Sequence, residues 1–217
     1  MGNFHRLEVR GTVMHGSIGI RTAVAVAAVT LLGTAVPAAG GTGDLERASI
    51  ASNGAGGDSG SWSADISPDG GYVVFGSLSE NLVPGDRGWV ERDEIYLHDR
   101  VWHRTTRVSP DRREYTADGF RLRSPAVSAG GRFVVFDSAA FDLVEGDDDI
   151  ESDVFVWDSQ ERTTTLVSTP PTSGQELSAS RDADISSDGQ VVAYKTVIFE
   201  EETTSPAPWA LYAYDRQ

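Results

Sequence analysis

The feature that most constrains this sequence is a tight turn followed by a short run of β-branched and aromatic residues. It occurs three times, at residues 67–75, 128–136 and 186–194. In the first copy Pro68 pre-sets the turn, Asp69 can bond the backbone two residues on, and Gly70 supplies a positive φ. The run that follows has no polar break, which predicts a strand buried on both faces.

Other patterns repeat in register with these turns. They recur about sixty residues apart, at 46–50, 105–109 and 164–168 and again at 94–99, 153–158 and 210–215. Each repeat then holds four short strands and no helix, which is typical of a β-propeller blade. We therefore expect an all-β fold of antiparallel four-stranded blades over residues 46–217, with repeats at about 46–109, 110–168 and 169–217.

The chain does not begin with the first strand of a blade and does not end with the fourth. A strand of the fourth type, at 46–50, comes first, and the third repeat has no fourth strand. Three blades fall below the ~4–8 of closed propellers, so we expect an incomplete or open propeller, either an arc or part of a longer product. A further alternative is a head-to-tail homodimer, in which residues 48–50 of each copy complete the partner's third blade.

The repeats resemble the TolB-type, WD40-like β-propeller repeat of exported bacterial proteins. The matching features are the turn at 66–70 with its following strand, the loop at 81–86 and the strand end at 155–158. The resemblance covers residues 46–217 and implies the propeller fold. It leaves function open, because such propellers serve as docking platforms, as ligand sites and as side domains of peptidases and lyases.

The first 38 residues have the composition of a secretory signal. Three arginines precede an apolar run at 22–36, and Val36 and Ala38 fit the cleavage positions. We expect a signal helix at 1–38, removed after Ala38, and a flexible linker at 39–45. A membrane anchor, the alternative, needs about 20 apolar residues. The protein is therefore expected to be secreted or periplasmic, or otherwise part of the cell envelope, with no stable membrane span after cleavage.

Acidic residues outnumber basic ones. The chain has 33 Asp and Glu against 18 Lys and Arg, a net charge of −15. Such a surface repels nucleic acid and anionic lipid and suits cations or basic partners, although the same excess also aids solubility. There is no cysteine, which excludes disulfides, thiolate metal sites and a cysteine nucleophile.

One motif matches a catalytic pattern without its partners. Residues 57–60, Gly-Asp-Ser-Gly, match the nucleophile turn of trypsin-like proteases, but that chemistry needs a histidine and an acid within reach of Ser59. The histidines beyond the predicted signal, His98 and His103, follow this motif, and both are expected to be partly exposed near a strand end. We therefore expect no enzyme activity.

Four carboxylates alternate along the acidic loop of the second repeat, at Asp147, Asp149, Glu151 and Asp153. Calcium takes about six to eight oxygen ligands. Related repeats often carry Asp-x-Asn-Gly-x-x-Asp here, which Asp147, Asp149 and Asp153 match in place, although Ile150 replaces the glycine. We predict a calcium site on this loop and a stretched version of it at Asp86, Glu91 and Asp93. The alternative is a solvated acidic loop.

The five tryptophans lie at predicted strand ends or loops, at positions 62, 89, 102, 157 and 209. There they could form a sugar or peptide platform or pack between blades. The sequence as a whole predicts an exported, non-catalytic binding or scaffold protein, with calcium as a stabilising ion. Its partner would be an unidentified protein, peptide or glycan. The alternatives are a side domain or remnant of a peptidase or polysaccharide lyase, and a truncated propeller without function.

Overall fold

In a computed structural model of the chain, the described residues are 45–85, 93–109, 122–140, 143–145, 147, 151–169, 176–199 and 209–216. All of them fall in the second of two compact units, residues 38–217. The predicted signal helix at 1–38 and residues 39–44 of the predicted linker lie outside these ranges. Within the ranges, no helix has the length and apolar character needed to cross a bilayer.

The described residues form three antiparallel sheets, one for each repeat. Their strands are β1 (Ser61–Ile66), β2 (Tyr72–Ser77), β3 (Glu94–Asp99), β4 (Arg104–Arg107), β5 (Arg123–Val127), β6 (Phe133–Ser138), β7 (Asp153–Asp158), β8 (Thr163–Leu166), β9 (Glu176–Ile185), β10 (Val191–Phe199) and β11 (Ala210–Asp215). We call β1–β4 blade one, β5–β8 blade two and β9–β11 blade three. Within each blade the strands follow one another in chain order. The predicted all-β fold of antiparallel blades is confirmed, and the described part of the third blade has three strands.

A serine fixes the turn between the first two strands of each blade. Its hydroxyl accepts a hydrogen bond from the amide five residues on, at 2.9 Å for Ser67, 3.0 Å for Ser128 and 2.9 Å for Ser186. In the first and third turns an aspartate two residues after the serine accepts the serine's own proton, at 2.6 Å in each case. The turns predicted from the sequence are therefore present, and these side chains set the start of the second strand.

Blade two is buried on both sides because its strands alternate between two apolar interfaces. Val134 and Val135 are neighbours in β6 and both are 0 % exposed. Val134 packs with side chains of blade one, whereas Val135 packs with side chains of blade three. Since successive side chains of a strand point to opposite faces, the uninterrupted apolar run requires a cover on each face. The inner strands β1, β5 and β9 lie next to one another and bring the blades together.

Each blade also carries a stacked aromatic pair between its second and third strands. The pairs are Phe75–Tyr96, Phe136–Phe155 and Tyr194–Tyr212, with ring centroids 5.8, 5.6 and 6.3 Å apart. The members of each pair are direct cross-strand neighbours. In blades two and three the pair faces the preceding blade, so the second and third strands present a flat apolar surface to their neighbour.

The turn of each following blade packs on the aromatic residue that starts the second strand of the blade before. Gly131 of blade two lies so close to Tyr72 that an added Cβ would come within 2.5 Å of the ring. Gly189 of blade three lies against Phe133 in the same way. Glycine in these turns therefore allows the blades to approach each other closely and also allows the backbone to adopt a positive φ.

The segment before β1 differs from the sequence-based expectation. Residues 46–50 are predicted above to form a strand, but there the described chain has only an isolated bridge between Ile50 and Gly56. The segment folds onto blade one instead, where Ser52 accepts a hydrogen bond from the Thr105 amide at 3.0 Å. A strand needs a neighbouring ladder, and this segment covers the face of blade one that points away from blade two.

The face of blade three that points away from blade two is open among the described residues. Leu211 is 86 % exposed, and Ala193 and Ala213 on the same face are exposed as well. Lys195, the direct cross-strand partner of Leu211, also lies on this face. The equivalent face of blade two packs against blade three. The described blades therefore form a row of three with an uncovered end, as expected for an open or incomplete propeller.

Gly189→Ala should destabilise the protein more than Gly70→Ala, although both glycines have nearly the same backbone, with φ +73 and +70°. An alanine in this conformation costs about 1 kcal/mol at either site. At Gly189 the new methyl group also meets Phe133, whereas nothing lies within 4 Å at Gly70. Overpacking adds about 1–3 kcal/mol. Urea unfolding of the two variants measures the difference, and equal losses would contradict the close packing of turn and ring.

Candidate functional site

A β-bulge interrupts the inner strand of every blade at the same place. The bulged residues have left-handed backbones, with φ of 48° at Ser63, 48° at Ser124 and 55° at Asp182. The strand pairing shifts by one residue around each of them. Bulges re-aim the side chains beside them and are frequent next to functional sites.

The cross-strand pair beside the bulge differs from blade to blade. The pairs are Trp62 with Gly76, Arg123 with Asp137, and Arg181 with Lys195. The first places a ring over a glycine, and the second places opposite charges together. The third places two cations directly opposite each other, which destabilises a sheet. In a chain with net charge −15, this concentration of positive charge is unusual.

A cavity of about 420 Å³ lies at these bulges between blades two and three. Its charged lining consists of Arg123, Asp137, Arg181, Asp182 and Lys195. Ala139 and Ser152 complete the wall. Sequence inspection missed this site, because residues far apart in the chain meet there through strand register and bulge geometry.

Asp137 forms the buried side of the cavity. It is 3 % exposed, and burial raises the pKa of its carboxyl group, although the hydroxyl of Ser124 acts in the opposite direction. The Asp182 amide donates a hydrogen bond to Asp137 Oδ1 at 3.2 Å. This bond links the bulge of blade three to the second strand of blade two.

The cations of blade three gather around Trp209. The ring centroid lies 4.8 Å from the Arg181 guanidinium carbon and 5.2 Å from Lys195 Nζ. Lys195 also pairs with the Asp182 carboxylate. Arg181 Nε is buried and has no hydrogen-bond partner among the described residues. The cavity therefore holds a guanidinium whose hydrogen-bonding capacity is incompletely used.

The predicted calcium ligands are only partly described. Asp147 is buried, Glu151 is exposed, and Asp153 is partly buried and accepts a hydrogen bond from Ser168 Oγ at 2.5 Å. Asp93, in the first loop, is partly buried. Asp149, Asp86 and Glu91 lie outside the described residues. No three His, Asp or Glu side chains of the described ranges form a group that could hold a metal, so both calcium sites stay predictions.

His98 departs from its expected surroundings. It is 0 % exposed rather than partly exposed, because residues 50–52 cover this face of blade one through contacts with Thr105. Its Nδ1 lies 2.9 Å from Thr105 Oγ1. Burial lowers the pKa of His98, and nearby His103 lowers it further. His103 is exposed.

The Gly-Asp-Ser-Gly motif at 57–60 is a structural loop. The Ser59 amide donates to Ser79 Oγ at 3.0 Å, and Asp58 Oδ1 accepts from the Glu80 amide at 2.9 Å. These bonds fasten the start of blade one to the segment after β2. The motif thus holds a connection within the blade.

The tryptophans divide between packing and exposure. Trp157 is buried between blades one and two, and Trp62 in β1 is partly buried. Trp102 and Trp209 are 78 % and 46 % exposed. Trp89 lies outside the described residues. The exposed Trp209 is the one beside the cavity.

No protein-family model matches the sequence, and a search of curated proteins gave no match. Among solved structures the chain is similar to TolB from Acinetobacter baumannii, with 17% identity and a TM-score of 0.39 over 70% of this chain and 32% of that one. It is also similar to a putative TolB from Agrobacterium tumefaciens, with 15% identity and a TM-score of 0.41 over 72% and 46%. A third is the tricorn protease, with 17% identity and a TM-score of 0.41 over 81% and 17%.

The chain spans less than half of the length of each of these structures. The propeller fold predicted from the sequence is confirmed, since the strand order within each blade and the stacking of the three blades are those of a propeller.

Asp137→Asn should gain stability relative to the wild type as the pH rises. The folded-state pKa of Asp137 is raised above its ordinary value of 3.8. The wild type therefore has the full contribution of this group below that value and loses it as the pH rises through the folded-state pKa. Asparagine keeps the acceptor for the Asp182 amide and does not ionise. Urea unfolding at about pH 3, 5 and 7 measures the difference.

Asp188→Asn is a matched control for which the stability relative to the wild type should change with pH in the opposite direction. The Ser186 hydroxyl donates to the Asp188 carboxylate and lowers its pKa, so the wild type gains stability from this group as the pH rises. The two variants should therefore diverge with pH. If Asp137→Asn followed Asp188→Asn, the Asp137 carboxylate would not be in a desolvated site.

Proposed function

We propose that this chain is an exported, non-catalytic propeller module that binds a ligand in the cavity between blades two and three and acts as a scaffold at or outside the cell envelope. The cavity is the observation that carries the proposal. Its volume of about 420 Å³ lies in the range of ligand sites, and its charged groups converge on one space. Export is supported by the signal-like composition of residues 1–38.

The side chains that line the cavity are held in place by the packing of their strands and by Trp209. Asp137 belongs to β6, whose apolar side chains fill both interfaces of blade two. Arg181 and Lys195 belong to paired strands of blade three, and Trp209 holds their cationic groups. A site whose groups are held before the ligand arrives loses less conformational entropy on binding.

Ala139→Phe tests whether the cavity is the binding site, because the larger side chain fills space at its wall. Small neutral probes, namely acetamide, isopropanol and phenol, are titrated into the full chain and followed by amide chemical shifts. In the wild type the shifts should converge on Asp137, Ser152 and Asp182. In Ala139→Phe they should be reduced at least about tenfold at equal probe concentration, since pocket occupancy requires open volume.

Ala55→Phe is the matched control, because Ala55 is exposed and lies outside the cavity lining. It should leave the shifts at the cavity unchanged. Probe-induced shifts that scatter over the surface, or that survive in Ala139→Phe, would contradict a ligand site between these blades.

Calcium on the acidic loop of blade two is the second part of the proposal. It is supported by the alternation of Asp147, Asp149, Glu151 and Asp153 in the sequence and by the burial of Asp147, since calcium binds clustered oxygen ligands. Bound calcium would hold the loop that precedes β7. It would also offset the mutual repulsion of these acids.

Calcium at about 1 mM, the range of extracellular sites, should raise the melting temperature of the full chain, and Asp147→Asn should abolish the rise. Glu151→Gln, at an exposed position of the same loop, should weaken the rise even if Asp147→Asn folds poorly. The matched control is Glu161→Gln, in the exposed turn between β7 and β8. An unchanged melting temperature with calcium, or equal rises in all variants, would rule out the site.

A further inference from the structure

The pairing of Arg181 with Lys195 is electrostatically unfavourable in a β-sheet. The two residues face each other across β9 and β10, where like charges repel. The other two blades have compatible pairs at this register. Violations of local rules are expected where a protein carries a functional site. The blade-three pair lies in the wall of the cavity, so the unfavourable arrangement coincides with the space that a ligand could fill.

The existing partners of these cations leave part of their binding capacity unused. Lys195 pairs with Asp182, and both cations pack against Trp209. Arg181 Nε, by contrast, is buried without a hydrogen-bond partner among the described residues. Because Nε has almost no accessible surface, a ligand in the cavity would bind the terminal nitrogens of the guanidinium instead. The cavity wall therefore carries two adjacent cationic side chains, whose mutual repulsion an anionic oxygen ligand would relieve.

We propose that the cavity binds the carboxylate group of a ligand, with Arg181 and Lys195 as its anchors. The proposal rests on the proposed function, since it names the ligand class of the same cavity. A guanidinium presents parallel N–H donors that match the two oxygens of a carboxylate. Trp209 packs against the guanidinium and the ammonium and so restricts their positions.

The net charge of the side chains that line the cavity determines which ligand charge it can neutralise. Three cations, Arg123, Arg181 and Lys195, stand against the two acids Asp137 and Asp182. At a pH above the raised pKa of Asp137, where both acids are ionised, the cavity has an excess of one positive charge, which a single carboxylate neutralises. A phosphate dianion would face Asp137 and Asp182 with an uncompensated negative charge. The site is therefore suited to a monoanion.

The test uses the full chain and four probes: propionate, N-acetyl-trialanine with a free carboxyl terminus, its C-terminal amide, and inorganic phosphate. Binding is measured by calorimetry, and the Arg181 Nε–H resonance is followed by NMR. The free-acid peptide should bind at least about tenfold more tightly than the amide and should shift the Arg181 resonance, because a charge-assisted bond is lost in the amide. If propionate also binds, a small carboxylate suffices. If it does not, binding also requires contacts with the rest of the ligand.

Arg181→Gln should weaken binding of the free-acid peptide at least about tenfold, and Lys195→Gln provides a second variant if Arg181→Gln folds poorly. The matched control is Arg104→Gln, at an exposed position of β4, which should bind as the wild type does. Equal binding of acid and amide, tighter binding of phosphate, or undiminished binding by both cavity variants would overturn the proposal. If the neutral probes still converge on the cavity, only the carboxylate assignment fails. If they do not, the proposed function fails too.

Discussion

The structure depends on one constraint: the second and third strands of each repeat are apolar on both faces, so no blade can be covered by its own chain segment alone. Blade two shows the solution, with Val134 and Val135 buried in opposite interfaces. Each such side chain contributes about 1.5–3 kcal/mol only when it is removed from water. The blades are therefore stable as neighbours, and the stacking follows from the sequence of the strands.

Turn glycines, the segment before β1 and the β-bulges all contribute to the stacking of the blades. The turn glycines Gly131 and Gly189 let one blade approach the aromatic ring of the blade before it. The segment at 50–52 covers the first blade where no earlier blade does so among the described residues. The bulges free a few inner-strand side chains from the packed faces. Those side chains, among them Arg181, line the cavity, so the packing that holds the blades also defines the site.

The sequence predicted the parts of the fold that are encoded locally. The Ser-x-Asp-Gly turns and the apolar runs specify hairpins, because the turn residues act within five positions. It did not predict the burial of His98, since the cover comes from a segment about fifty residues earlier. It also missed the Arg181–Lys195 pair, because a bulge changes which residues face each other and no local pattern marks that change.

Native-state hydrogen exchange measures most directly whether the blades stabilise one another. If adjoining blades stabilise one another, amides of β6 and β7 in the middle blade exchange most slowly, through global unfolding. Those of β11, beside the open face at Leu211, then exchange faster by smaller openings. Equal protection in β7 and β11, or a middle blade that opens independently of its neighbours, would contradict the claim that the strands are held by the adjoining blades.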